Sequence, residues 1–381
     1  MNYKYFDHAA TTTLDEEVLN AMIPYFQIDY GNASSLYTLG RKSKRAIELS
    51  RETVARELNC NKNEIYFTSC GSESDNLAIK GIAYLHKSNG NHIITSKIEH
   101  PAVLNTCKKL ERQGFVVTYL NVDKYGIIDL QELENKITDK TILISIMFAN
   151  NEIGTIQPIH QIGEIAKKHN IFFHTDAVQA IGNIKIDVKK MNINLLSMSA
   201  HKFYGPKGIG ALYVQDGIDF EKIQDGGHQE KDKRAGTENV PGIVGLGKAI
   251  ELSYKNYENN NIKITNLREY FINEILSKIP DIKLNGHRKN RLPGNANISF
   301  KGIEGEELLL KLDELGICAS SGSACSSGHS EPSHVLTAIG LSQELSYGTL
   351  RITIGKENTQ NDIDYLINNL IKIIQILRNK K

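Results

Sequence analysis

EIYFTSCGSESDNLAIKGIAYL, residues 64–85, begins as an apolar run of strand length, turns through small polar residues and continues in a helical pattern. A strand that feeds a helix through a tight turn is half of a parallel unit. The alternation recurs outward from this stretch. HIITS (92–96), VVTYLNV (116–122), ILISIMFA (142–149), IFFHTDA (171–177), LLSMSA (195–200) and IGALYV (209–214) are further strand-length runs separated by helical patterns. Pro101 sits in the first turn of the helix after Glu99 and His100, where a missing N–H costs nothing. Continuous apolar strands mean a sheet covered on both faces, so the fold expected is α/β, with a mostly parallel seven-stranded sheet flanked by helices. In such a sheet ligands gather at the carboxyl ends of the strands.

Beyond a glycine-rich charged loop (225–239), a long helical tract runs from about Val240 to Ile279, with NYENNNIKI as the place for a break. Residues 280–381 mix short strands, NANISF and TLRITIG, with helices and read as a smaller α+β lobe. The division expected is a large domain over 15–258 and a small one over 1–14 and 259–381, carrying a glycine-serine loop at 320–332. The chain of 381 residues has a formal charge of +1 with both signs interspersed. No basic stripe suggests nucleic acid. No apolar run is long enough to span a bilayer and MNYKYFDH lacks a signal-peptide core, so a cytoplasmic protein is expected. Five cysteines, Cys60, Cys70, Cys107, Cys318 and Cys325, give an odd count without a disulfide framework. Four read as reduced thiols in or near the core. Cys325 differs because it stands in SSGSACSSG (320–328), a stretch that builds no core.

Several strand ends carry polar residues that a sheet does not need. In SAHKFYGPKGIG (199–210), Lys202 follows a strand end beside Ser199 and His201, where a lysine can form a Schiff base with an aldehyde. Alone it would read as a surface lysine. FHTDAVQ (173–179) ends another strand with Asp176, a helix cap or the carboxylate that keeps a pyridine nitrogen protonated, and Gln179 follows as a donor for a ring oxygen. SCGSESDN (69–76) offers backbone N–H groups and a hydroxyl to a phosphate at a helix start, although capping serines look the same. His100 can stack on a ring or move a proton.

With ANNEIG between them, these motifs occur in one order from YFDHAATT (5–12) to TLRITIG (349–355), and the chain resembles the cysteine desulfurases of the NifS/IscS group. These are fold-type-I, class V aminotransferase-like enzymes that use pyridoxal 5'-phosphate. The resemblance implies that Lys202 carries the cofactor and moves the Cα proton, Asp176 pairs with the ring nitrogen, Gln179 meets the ring oxygen and His100 lies over the ring. It assigns Gly71, Ser72, Ser199 and His201 to the phosphate, Asn150 to cofactor and substrate, and Arg351 and Asn32 to L-cysteine. It implies a homodimer in which Thr237 of RAGTEN reaches the partner's phosphate. Cys325 would take the sulfur as a persulfide and pass it to an acceptor protein, leaving alanine. The acceptor is an iron–sulfur scaffold, a tRNA-thiolating enzyme or several, and no metal is expected beyond a transient cluster on a scaffold that Cys325 contacts.

The chain departs from the family pattern at Ala33 for proline, Ser72 for threonine, Asp225 for glycine and Lys233 for arginine, and it ends in LRNKK without the longer tail that some relatives use on a scaffold. An aminotransferase or selenocysteine lyase of the same fold would share Lys202 and Asp176 and have no need of Cys325. A metal-binding protein using Cys318, Cys325, His329 and His334 is the reading from another class, with flexible spacers in place of a rigid knuckle.

Overall fold

The computed structural model describes residues 3–321 and 332–379. Its main sheet contains β2 (Ile65–Thr68), β3 (His92–Ser96), β4 (Val116–Leu120), β5 (Thr141–Ser145), β6 (Phe172–Asp176), β7 (Leu195–Ser199) and β8 (Gly210–Val214). They are the seven apolar runs, in the order β2-β8-β7-β6-β5-β3-β4. Five neighbours in the row β7-β6-β5-β3-β4 pair in parallel, while β8 runs antiparallel to both β7 and β2. The carboxyl ends of β2, β3, β5, β6 and β7 therefore lie along one edge. The run 142–149 leaves the regular ladder after Ser145, but Ile146 and Phe148 still donate to the carbonyls of His174 and Asp176.

The sheet buries both faces, as its continuous apolar runs require. Successive residues alternate between two core clusters: Ile93 and Ile94, Leu143 and Ile144, Leu195 and Leu196, with the first of each pair in one cluster and the second in the other. The helix Gly71–Leu85 covers one face through Leu77, Ile79 and Ile82. The helices Thr38–Leu58 and Val240–Lys255 contribute Val54, Leu58, Ile243 and Leu246 to the other.

The long helical tract breaks at Asn256, between Val240–Lys255 and Tyr257–Lys278. Beyond it β9 (Ile282–Asn285), β10 (Asn295–Phe300) and β12 (Thr349–Thr353) form an antiparallel sheet of their own, with β10 central. A third core cluster joins it to the helices Tyr257–Lys278 and Gln360–Asn379. The amino terminus enters here too: β1 (Lys4–Tyr5) pairs in parallel with β11 (Ile317–Cys318), and Phe6 is fully buried in this cluster. Among the described residues no helix is long and apolar enough to cross a membrane.

Candidate active site

Where the strands of the main sheet end, a cavity of about 230 Å³ opens, lined among others by Gly71, Ser72, His100, Asp176, Gln179, Ser199, His201, Lys202 and Arg351. These residues come from distant segments of chain, because each strand end hands one or two polar residues to the common edge. Cys70, Asp75 and Asn151 also line it, and none of the three stands out in the sequence.

At one end the Gly71–Leu85 helix begins with no side-chain cap, so its first N–H groups and positive dipole end face the cavity. The Ser199 hydroxyl nearby is buried and has no hydrogen-bond partner among the described residues. An uncapped helix start beside an orphaned hydroxyl suits a phosphate. Burial pushes the His201 imidazole down to about 4, helped by Lys202 and Lys207, so it is neutral. Its Nδ1 lies 3.1 Å from the Thr11 hydroxyl.

At the other end Asp176 is buried, which raises its carboxyl above the usual range, while its Oδ1 accepts from the Val178 N–H at 2.9 Å. Burial holds His100 below the usual imidazole range. As the cap of the helix Pro101–Glu111 its Nδ1 accepts from the Ala102 N–H at 3.1 Å, which leaves the proton of the neutral ring on Nε2. Lys202 Nζ donates to the carbonyls of Ala9 at 2.6 Å and Ala10 at 2.7 Å, and Gln179 Nε2 donates to Ala9 at 3.0 Å. Those carbonyls belong to the DHAATT segment, which is sewn to the turn after β7: Thr12 N–H donates to the His201 carbonyl at 2.9 Å and Tyr204 N–H to the Thr12 hydroxyl at 2.8 Å. The amino-terminal motif is thus a wall of the site.

Arg351, on β12, is 1 % exposed. Its Nη2 meets Asp7 at 2.7 Å and its Nη1 the Asn151 carbonyl at 3.1 Å, while Nε is buried with no partner among the described residues. A buried guanidinium with an open Nε is suited to a carboxylate.

Four of the expected residues do not join this set. Asn150 is fully buried and committed to its own turn. Its Nδ2 donates to the Ile98 carbonyl at 2.9 Å and toward Met147 Sδ at 3.4 Å, and its Oδ1 accepts from the N–H groups of Glu152 and Ile153. Its donors and acceptor are thus engaged within its own turn, and its neighbour Asn151 is the one that lines the cavity. Asn32 is exposed and accepts from the Ser34 N–H at 2.9 Å, outside the cavity. Thr237 is exposed and lines a separate pocket with Ser69, Gly208 and Arg234. Cys325 and most of the 320–332 loop lie outside the described residues, as does His329. Of the remaining metal-ligand candidates, Cys318 pairs with Tyr5 in the β1–β11 ladder and His334 Nε2 meets the Glu99 carbonyl at 2.9 Å. Neither belongs to a cluster able to hold an ion among the described residues.

Residues 4–366 match the family described as aminotransferase class-V. Among similar proteins, a cysteine desulfurase IscS of Clostridium botulinum is 58% identical over 373 residues, covering 97% of this chain and 94% of that one. A cysteine desulfurase IscS of Methanosarcina thermophila is 57% identical over 375 residues, covering 98% and 93%. Among solved structures, a NifS-like protein superposes with a TM-score of 0.93 at 37% identity, over 98% of this chain and all of the other (100%).

Proposed function

The chain belongs to the aminotransferase class-V family and within it to the cysteine desulfurases, and from that premise we propose how its residues divide the work. The enzyme uses pyridoxal phosphate to convert L-cysteine to L-alanine with transfer of the sulfur. The observation that carries the assignment of residues is the convergence of Lys202, Asp176, His100 and Arg351 on one cavity.

The residues fit the cofactor. The uncapped helix start at Gly71 and Ser72, with the orphaned Ser199 hydroxyl, would hold the phosphate, and the buried Asp176 would meet the ring nitrogen. Gln179 would meet the ring oxygen and His100 would lie over the ring. When bound, pyridoxal phosphate draws electrons away from the substrate's Cα. Arg351 takes the α-carboxylate of cysteine through its open Nε edge, which turns Cα toward Lys202. Lys202 Nζ, released from the Ala9 and Ala10 carbonyls, moves the Cα proton. His100, neutral and carrying its proton on Nε2, exchanges a proton with the substrate sulfur. Cys325, as thiolate, attacks that sulfur. The Cβ–Sγ bond breaks as the S–S bond forms, and its electron pair stays with Cβ, which becomes the methyl group of alanine after protonation. Cys325 then holds the sulfur as a persulfide. The sulfur then passes to an acceptor protein of iron–sulfur assembly or tRNA thiolation.

A second copy of the chain completes the site in this reading. Thr237 lies outside its own protomer's cavity, where it is free to serve the partner, and the segment 26–37 exposes Phe26, Ile28, Tyr30, Leu36 and Tyr37. The two-domain division at 15–258 is supported by the separate core of the β9–β10–β12 sheet.

Incubation with L-cysteine tests the assignment. Alanine should form, and peptide mass should place one added sulfur on the Cys325 peptide when no reductant is present. Cys325→Ala should keep the cofactor's absorbance and lose sustained alanine formation. Undiminished alanine from that variant would assign the chemistry to a lyase without a sulfur-carrying cysteine.

A further inference from the structure

Behind Asp176 lies a second acid that the desulfurase scheme does not use. Asp75, one turn into the Gly71–Leu85 helix, is 1 % exposed, lines the cavity, and has an Oδ1 with no hydrogen-bond partner among the described residues. Polar atoms of Asp75, Asp176 and His100 lie within 4.8 Å of one another. His174, on β6 and fully buried, approaches Asp75 Oδ1 with its Nε2 at 3.6 Å. Its ring nitrogens meet the hydroxyls of Ser145 and Ser197, both at 2.9 Å, and Ser197 also reaches the Asp75 carboxyl.

The charges around the two carboxyls are unequal: Lys202 favours the anion of Asp176, while among the described residues Asp75 is paired with no lysine or arginine, only approached by His174. Burial pushes His174 down to about 3, so it is neutral. His100 is likewise neutral by burial, and Lys202, whose Nζ donates to the Ala9 and Ala10 carbonyls, acts on Asp176 from the cavity side. The remaining titratable neighbours, Glu99 and Cys70, add negative charge or none. Two buried carboxyls so placed titrate as one unit.

Resting on the cofactor assignment above, we propose that Asp75 and Asp176 form one carboxyl pair that shares a single proton, and that Asp75 is the positioning residue which keeps Asp176 the anionic member facing the cofactor's ring nitrogen. The ring nitrogen brings its own proton and Asp75 retains the pair's proton, so the charge of the pair is the same before and after loading. His174 and Ser197 hold the Asp75 carboxyl in place from the protein side.

The apoprotein decides this without turnover. In the unfolded chain both acids are ionised at neutral pH, and in the folded chain the pair holds one proton. Unfolding therefore releases that proton, and the wild-type unfolding constant should climb about tenfold more per pH unit than that of Asp75→Asn between pH 6 and 8. Asp176→Asn should flatten the profile equally, and the double variant no further. Equal slopes in wild type and Asp75→Asn would overturn the pair. Infrared difference spectra of the apoproteins decide the same question if a variant folds poorly: wild type at pH 7 should show a protonated-carboxyl band, beyond any from Glu99, that either single variant lacks, and equal bands in wild type and both variants count against the pair. For the positioning role, Asp75→Asn should bind pyridoxal phosphate within about threefold of wild type and Asp75→Ala at least tenfold more weakly; equal affinities would overturn it. A protein that binds no pyridoxal phosphate at all would sink the cofactor assignment while leaving the pair to be judged by its proton.

Discussion

The guanidinium of Arg351 is a charge in a nearly closed interior, and its surroundings explain how that is tolerated. Asp7 neutralises it through Nη2, the Asn151 carbonyl takes Nη1, and among the described residues Nε has no partner. A lysine would keep the charge and lose the planar fork. Arg351→Lys should therefore lower kcat/KM for cysteine by about 100-fold, the scale of one charge-assisted pair of hydrogen bonds. The absorbance of bound pyridoxal phosphate should not change. Steady-state alanine formation measures the first and a spectrum the second, and an unchanged kcat/KM would remove Arg351 from the substrate site. At this scale the sequence is most readable where a polar residue ends an apolar strand, as Asp176 and Ser199 do. It is least readable where a single step along the chain decides the role. Asn150 and Asn151 are identical in type, and only the fold of their turn sends one into the backbone network and the other to the cavity. Asp75 is hidden for another reason: an acid near a helix start is ordinary in sequence, and only the strand across from it makes it unusual.

Elements are legible in proportion to how local their causes are. All seven strands of the main sheet and the break at Asn256 follow from apolar runs and a polar interruption. The reversal of β8 and the order of the strands depend on pairings between distant segments, which no local pattern encodes. β9 escapes a reading by pattern because its four residues alternate only weakly between exposed and covered. One junction between elements carries its own test. Glu99, between β3 and the helix Pro101–Glu111, is fully buried and ties both to the end of β5: its oxygens accept from the Met147 N–H at 3.0 Å and from the Ser96 hydroxyl at 2.6 Å. Burial pushes its carboxyl up to about 8, so at neutral pH the folded protein keeps it protonated while the unfolded chain does not. A raised acid of this kind contributes fully below the unfolded carboxyl range and loses that contribution as pH rises toward 8. Glu99→Gln mimics the protonated form. Its stability relative to wild type should improve by about 1 kcal/mol per pH unit between pH 5 and 8 and level off outside that window. Urea unfolding at a series of pH values reads this directly, and a parallel pair of profiles would mean that Glu99 is ionised in the fold.

At the scale of the whole molecule, the single chain leaves two features unexplained that one arrangement accounts for. Thr237, which the family pattern assigns to the partner's phosphate, stands away from its own chain's cavity, on a loop anchored from inside by a buried pair, Glu230 with Arg51 at 2.7 Å, so its position is not a matter of slack. The segment before the helix Thr38–Leu58 shows Leu36 at 89 % exposure with Ile28 and Tyr30 at 68 %, more apolar surface in one place than scattered single residues account for. A second copy of the chain covering that segment and receiving Thr237 would satisfy both. Phe26→Glu with Leu36→Glu puts two charges on this surface, where a dimer would have to bury them unpaired. Sedimentation should then show a monomer in place of a dimer, with the fold kept by circular dichroism because neither side chain is in the core. Pyridoxal phosphate affinity should fall together with the dimer, since each site would lose its partner's Thr237. A variant that stays dimeric places the interface elsewhere, and a monomer that binds the cofactor as tightly as wild type shows that each chain holds its phosphate alone.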